Sequence, residues 1–202
     1  LRDDVQLVRM AQETLAAIHL LEQTMGDPVG LHPVGSLHVV PAHLRDRYDR
    51  QVAQCVAAGA RMQWVPASYA RQRAPWLVVP QDAQVLHCMD DCYVDPYQLG
   101  MAYLRHAQRA GAQLRLQAPV DALLTEQGRV TGVQLASGEC IAAPAVVVAT
   151  GAWSNALTVA QGVPLPMAAV RSQYWITAPA QDVAPDGAIV FLPGIRAYVR
   201  PE

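Results

Sequence analysis

The sequence predicts a mixed α/β and α+β fold, because three different residue patterns follow one another along the chain. Apolar residues recur at helical spacing over residues 3–25, which indicates a long amphipathic helix. Residues 145–149 form a short run of small and β-branched side chains before Gly151, which is typical of a strand buried on both faces, then a turn and a helix. Over residues 112–143 the period changes to two, which indicates a meander of short antiparallel strands.

Turn and capping residues set the other boundaries. Gly26, Asp27 and Pro28 end the first helix, and Asp95 is a good N-cap with Pro96 at the first helical position. Gln98 completes a capping box there, Gly111 stops that helix, and Ser154 or Asn155 could cap a helix running to about residue 160. We predict further helices at 43–58 and 67–73, and strands at 35–40, 61–65, within 84–94, and at 112–117, 119–125, 129–135, 139–143, 167–177, 188–192 and 195–199.

Composition restricts the class of protein. The chain has 202 residues, of which 52% are hydrophobic and 16% charged, so we expect a packed globular protein of one large or two small domains. A net charge of -2 with interspersed signs argues against nucleic-acid binding and a polybasic membrane patch. No apolar segment reaches the roughly 18 residues of a membrane span, and no signal peptide is evident, so we predict a cytoplasmic location. Four scattered cysteines indicate reduced core thiols.

Several motifs that would identify a site are missing from the sequence. The cluster His87, Cys88, Asp90, Asp91 and Cys92 resembles a metal site, but its second ligand pair is absent, so we predict no metal. No G-x-S-x-G elbow occurs, which argues against serine hydrolysis. No G-x-G pair and no G-K-[ST] occur either, so the chain holds only part of any nucleotide site.

The late predicted strands carry Tyr174, Trp175, Tyr198 and Arg200. Tyr198 and Arg200 are two residues apart, so both side chains can point to one face of a strand. A guanidinium there could hold a substrate carboxylate by a bidentate contact, with tyrosine hydroxyls assisting. The alternative is an aromatic sheet face packed on a helix, with Arg200 at its solvent edge.

The order of several segments resembles the D-amino-acid-oxidase-like family of FAD-dependent oxidoreductases, which includes glycine oxidase, sarcosine oxidase and the dimethylglycine and sarcosine dehydrogenases. The resemblance covers about residues 35–202 and is most specific over 91–157. The segments are YVDPYQLGMAYLRHAQRAGAQLRLQAPV, GRVTGVQLASGECIAAPAVVVATGAWSNAL, AVRSQYWIT and AYVRPE.

The resemblance implies roles for particular positions. Val120 matches the valine whose backbone meets the adenine of FAD. The family's A-T/A-G-x-W turn, which lies along the diphosphate and ribityl part of the cofactor, is matched by Ala149, Thr150, Gly151 and Trp153. Tyr198 and Arg200 match the strand over the flavin where substrate binds, and Tyr174 matches the neighbouring strand.

The resemblance also implies a domain organisation. Residues 1–33 and 91–162 would form a partial FAD-binding, Rossmann-like domain with a β-meander. Residues 34–90 and 163–202 would form a substrate domain on an antiparallel sheet that is incomplete at the C-terminus. The family's G-x-G-x-x-G turn, ribose-binding acidic residue and C-terminal glycine-rich segment are missing, so we interpret the chain as the central fragment of a longer protein.

The resemblance predicts oxidation of the C–N bond of a small amine or amino acid by hydride transfer to FAD. Two alternatives remain. One is a truncated, flavin-free remnant or binding module, whose uncovered apolar surface would favour homo-oligomers or aggregation. The other is an FAD-dependent 2-hydroxy-acid oxidoreductase of the same fold.

Overall fold

The computed structural model describes residues 4–26 and 29–201 of the chain. The predicted helix start at residue 3, the stop residues Asp27 and Pro28, and the terminal Glu202 therefore lie outside the described residues. The chain divides into two compact units, residues 1–112 with 178–202 (unit 1) and residues 113–177 (unit 2). The functional division that we predict from the family resemblance follows other boundaries and stays a prediction.

The elements confirm the mixed α and β class. The helices are α1 (Val5–Met25), α2 (Arg45–Ala57), α3 (Ala67–Arg73), α4 (Pro96–Arg109) and α5 (Ser154–Thr158). The strands are β1 (Leu31–His32), β2 (Ser36–Pro41), β3 (Met62–Val65), β4 (Ala83–Cys88), β5 (Tyr93–Val94), β6 (Val120–Glu126), β7 (Arg129–Leu135), β8 (Cys140–Ala142), β9 (Ile189–Leu192) and β10 (Ala197–Val199). None of the described helices combines the length and apolar composition that crossing a membrane requires.

Unit 1 is built on a five-stranded sheet with the order β10-β9-β2-β4-β3. Its neighbouring strands are antiparallel except for β2 and β9, which run parallel. One face carries the main core, in which Leu37, Val85 and Val190 are buried against Ala70 of α3 and Leu77. Because side chains alternate along a strand, the residues between these point to the opposite face.

The predicted start of α4 is confirmed. Asp95 Oδ1 accepts hydrogen bonds from the backbone amides of Tyr97, at 2.8 Å, and Gln98, at 3.0 Å. The Gln98 side chain differs from a standard capping box, because its Nε2 donates to Asp95 Oδ2 at 3.4 Å. The Asp95 amide donates instead to the carbonyl of Gly30, at 2.9 Å. Gly30 has φ +68°, and a Cβ there would lie 2.6 Å from Asp95 Cβ, so a glycine is needed at this contact.

Unit 2 contains the predicted meander as a three-stranded antiparallel sheet, β6-β7-β8. The tight turn at Gln127 and Gly128 has φ of 48° and 76°, as a two-residue hairpin requires. The helix predicted at 154–160 is only partly α-helical, because short 3-10 turns precede and follow α5. No side chain caps α5, and Ser154 Oγ donates instead to the Gly151 carbonyl at 2.8 Å.

Three strand predictions in unit 2 are wrong. Residues 112–117, 145–149 and 167–177 form no strand, and none of them pairs with a strand of the described chain. Residues 145–149, which we predicted to be buried on both faces, leave Val147 90% exposed. A segment rich in strand-favouring residues becomes a strand only where another strand forms hydrogen bonds with its backbone N–H and C=O groups. The sequence pattern alone does not reveal that partner strand.

Candidate functional site

One face of the unit 1 sheet carries a row of side chains across all five strands. The register pairs Trp64 with Leu86, Leu86 with His38, His38 with Phe191 and Phe191 with Tyr198. The Phe191 ring stacks on His38 with the centroids 4.5 Å apart, and it lies 5.7 Å from the Tyr198 ring. Tyr198 is 60% exposed, so this predicted site residue forms the open end of a row whose middle is buried.

A buried polar network adjoins the middle of this row. The Ser36 hydroxyl donates to the Asp91 carboxylate, so it accepts the 3.2 Å hydrogen bond from His38 Nε2. His38 is therefore the tautomer that carries its proton on Nε2. Its Nδ1 is buried with no hydrogen-bond partner among the described residues, which is tolerable for a bare lone pair but costly for an N–H group.

The electrostatics of the network agree with this arrangement. Burial lowers the pKa of His38, and the nearby Asp91 only partly opposes this effect. Burial would raise the pKa of Asp91, but the interactions with His38 and Ser36 outweigh burial and lower it. Burial, with the charge of Asp91, raises the pKa of Cys88 to about 12. At neutral pH the network therefore contains a neutral imidazole, a carboxylate and a protonated thiol.

The possibility of metal binding arises here, because potential ligand atoms of His38, Cys88 and Asp91 lie within 4.8 Å of one another. The Ser36 hydroxyl interacts with all three side chains. It already forms hydrogen bonds with the imidazole and the carboxylate, and these three side chains are one ligand short of a closed structural zinc site. We therefore assign no metal to the network.

Arg200 follows β10 and lies in a second aromatic cluster. Its Cζ is 4.9 Å from the centre of the Tyr93 ring, and Tyr93 stacks on His32 with the centroids 4.5 Å apart and the planes 10° from parallel. The backbone amide of Gln98 is the main group that lowers the pKa of Asp95, and the positive charge of Arg200 contributes to the same effect. Arg200 therefore has Tyr93 and Asp95 as neighbours on unit 1.

The predicted catalytic residues are only partly brought together. Tyr198 and Arg200 both belong to unit 1, where their side chains contact different aromatic partners. Tyr174 belongs to unit 2, is 77% exposed and lies on no strand, so the strand predicted for it is wrong. Sequence reasoning missed Tyr93 and His32, because the two-residue strands that pair them are too short to show a period.

The predicted cofactor residues all lie in unit 2. Val120 begins β6, against which α5 packs, and the turn that precedes α5 contains the other four, Ala149, Thr150, Gly151 and Trp153. Thr150 Oγ1 donates to Ser154 Oγ at 3.2 Å, which ties the turn to the start of α5. All five residues are exposed, and a Cβ at Gly151, where φ is +55°, would meet nothing within 4 Å. The backbone of this turn is therefore open to a ligand.

Comparison with known proteins assigns the family. Residues 1–202 match the family described as FAD dependent oxidoreductase (DAO). The chain belongs to this family. The match confirms the resemblance on which the predicted cofactor residues rest, although their individual roles stay predictions.

Curated relatives of the chain are longer proteins. It is 24% identical over 180 residues to the mitochondrial dimethylglycine dehydrogenase of Homo sapiens, which covers 89% of this chain and 21% of that protein. It is 29% identical over 180 residues to a D-amino acid dehydrogenase of Cereibacter sphaeroides, covering 88% of this chain and 41% of that one. The glycine oxidase of Pseudomonas putida is 40% identical over 72 residues, or 36% of this chain and 20% of the relative.

Solved structures support the fold. The L-proline dehydrogenase from P. horikoshii superposes with a TM-score of 0.82 at 19% identity, covering 98% of this chain and 53% of that one. The glycine oxidase from Geobacillus kaustophilus superposes with a TM-score of 0.73 at 22% identity, covering 98% and 51%. The chain thus spans about half the length of these two structures.

Proposed function

We propose that this chain forms part of an FAD-dependent oxidoreductase that oxidises the C–N bond of a small amine or amino acid. The observation that carries the proposal is the position of Arg200, directly after the edge strand whose Tyr198 side chain is open to solvent. The names of the relatives support this substrate class, since they include a D-amino acid dehydrogenase and a glycine oxidase.

The unit 2 turn fits part of an FAD site. Its backbone is exposed and unobstructed at Gly151, so ligand atoms can approach closely. We propose that Ala149, Thr150, Gly151 and Trp153 border the diphosphate and ribityl part of the cofactor, and that Val120 meets the adenine. Because the sequence contains no G-x-G-x-x-G turn, these residues supply only a fraction of the contacts that FAD needs.

The chemistry is divided between cofactor and protein. FAD, when bound, accepts a hydride from the carbon beside the substrate nitrogen, and the resulting imine hydrolyses in water. In the proposal, the Arg200 guanidinium holds the substrate carboxylate by two parallel hydrogen bonds, and the Tyr198 hydroxyl assists it. Tyr174 is proposed as a further substrate contact from the family resemblance alone, since it lies on no strand of unit 2.

The cofactor proposal predicts a difference in visible absorbance. We expect the purified 202-residue chain, mixed with FAD and then separated from unbound FAD, to show no flavin absorbance, because it lacks the glycine-rich turn that binds most of the diphosphate. We propose that this chain is part of a longer protein, and that longer protein should show the flavin absorbance bands. If the longer protein does not bind FAD either, the result favours a flavin-free binding module. The exposed apolar side chains of unit 2, such as Val147 and Trp175, are consistent with such a module.

The substrate proposal predicts a selective effect of Arg200→Ala in the longer flavoprotein. We expect KM for an amino acid to rise about tenfold or more, since a charge-assisted bidentate contact is lost, with little change for the matching neutral amine. Steady-state kinetics on the two substrates measure this difference. The control is Arg196→Ala, an exposed arginine just before the same strand. Equal changes for both substrates would refute the carboxylate contact, and a preference for a 2-hydroxy acid would favour C–O oxidation.

A further inference from the structure

The Tyr93 ring contacts two polar side chains of unit 1, the His32 imidazole and the Arg200 guanidinium. Its ring is stacked on the His32 imidazole at 4.5 Å, and the Arg200 guanidinium carbon is 4.9 Å from its centre. A cation within about 6 Å of a ring centre is attracted to the ring's negative face. The contact therefore restricts where the Arg200 side chain can go.

The backbone fixes the Tyr93 ring. Strands β1 and β5 pair His32 directly with Tyr93 and Leu31 with Val94, so the stack follows from the strand register. Leu31 and Val94 pack on the buried cluster of Ile18, Leu21, Val29 and Ala102, which joins α1 to α4. The ring under Arg200 is thus anchored to a core and does not rely on a mobile loop.

Asp95 is an electrostatic neighbour of the same guanidinium, and its carboxylate caps the start of α4. Its Oδ1 accepts two backbone amides and its Oδ2 accepts from Gln98 Nε2. The start of α4 thus engages both oxygens of Asp95, and the positive charge of Arg200 helps to lower the pKa of this carboxyl group.

We propose that Tyr93 is a positioning residue that holds the Arg200 guanidinium in the orientation that receives a carboxylate. The inference rests on the proposed role of Arg200. The aromatic face supplies the orientation, so phenylalanine can replace tyrosine, whereas an aliphatic side chain of similar size cannot.

The test measures acetate binding by the ¹⁵N-labelled chain, through the NMR signal of the Arg200 Nε–H group. Arg200→Ala assigns that signal, and neutral acetamide is the control ligand. We expect Tyr93→Leu to weaken acetate binding about threefold to fivefold and Tyr93→Phe to bind like the wild type. Tyr97→Leu is the matched control variant, because Tyr97 is a nearby tyrosine in the sequence whose side chain is 74% exposed. Acetamide should give no saturable shift in any variant.

The outcomes separate the two proposals. Wild-type affinity in Tyr93→Leu, or an equal loss in Tyr93→Leu and Tyr93→Phe, would overturn the positioning role while leaving the carboxylate contact of Arg200 intact. A wild-type Arg200 signal that ignores acetate would overturn both. The unliganded wild type gives a reading that needs no variant, since ring current should shift the Arg200 side-chain protons upfield. Unshifted protons would also overturn the positioning role.

Discussion

Replacing Asp91 with Asn is expected to lower the free energy of unfolding by about 2 kcal/mol. The substitution keeps the shape of the side chain but removes the charge that accepts the Ser36 hydroxyl and neighbours His38. The amide leaves the buried hydroxyl and imidazole with a weaker partner. Because His38 stacks on Phe191, the loss also reaches the sheet face that ends at Tyr198.

The same network predicts lower stability in acid. The native pKa values of His38 and Asp91 are both below their ordinary values of 6.5 and 3.8, so the unfolded chain binds more protons. The contribution of His38 is therefore present above pH 6.5 and is lost as the pH falls below it, and that of Asp91 is lost below 3.8. The groups around His38 include Tyr48 of α2, Phe191 of β9, the Cys88 thiol of β4 and the Ser36–Asp91 pair.

Urea unfolding at neutral and acidic pH measures both effects. The matched control is Asp90→Asn, since Asp90 is one residue away and pairs with the exposed Arg61. A surface pair of this kind should contribute no more than about 1 kcal/mol. If Asp90→Asn costs as much as Asp91→Asn, or if stability does not fall between about pH 7 and pH 5, the buried network is not the source of the stability.

Local signals in the sequence were sufficient for part of the fold. Asp95, Pro96 and Gly111 define a helix through contacts with near neighbours, and the structure confirms both of its ends. The strands around Leu37, Val85 and Val190 were also predicted, because each is a short apolar run next to turn residues. These features depend on backbone propensity and burial, which leave a pattern within a few residues.

The rest depends on pairing over long distances. Ser36 and Asp91 are 55 residues apart in the sequence, and only the β2–β4 register brings them together, so Asp91 was assigned to a metal-like cluster without His38. The contact of Arg200 with Tyr93 was missed for the same reason. Residues 145–149 and 167–177 show the converse error, since both have the composition of strands without a partner in the described chain.

Leu37→Ala is expected to cost about 3 kcal/mol of unfolding free energy. Leu37 is fully buried on β2, where it packs in the cluster formed with Ala70, Leu77 and Val190. Truncation removes the transfer energy of the side chain and leaves a cavity that a sheet packed on α3 cannot fully close. Val78→Ala is the matched control, because Val78 follows Leu77 but is 84% exposed, and it should change stability by less than about 0.5 kcal/mol.

The position of Leu37 also predicts which strands should open more readily in Leu37→Ala. Strand β9 pairs with β2 only through Ser36, Leu37 and His38, and β10 reaches the sheet only through β9. The hairpin that carries Tyr198 therefore depends on a ladder centred on Leu37, whereas β3 is held independently by β4. Hydrogen exchange in Leu37→Ala should accelerate more at β9 and β10 amides than at β3 amides. Uniform acceleration across the sheet would mean that the hairpin opens only with global unfolding, and that the strand carrying Tyr198 is as stable as the core.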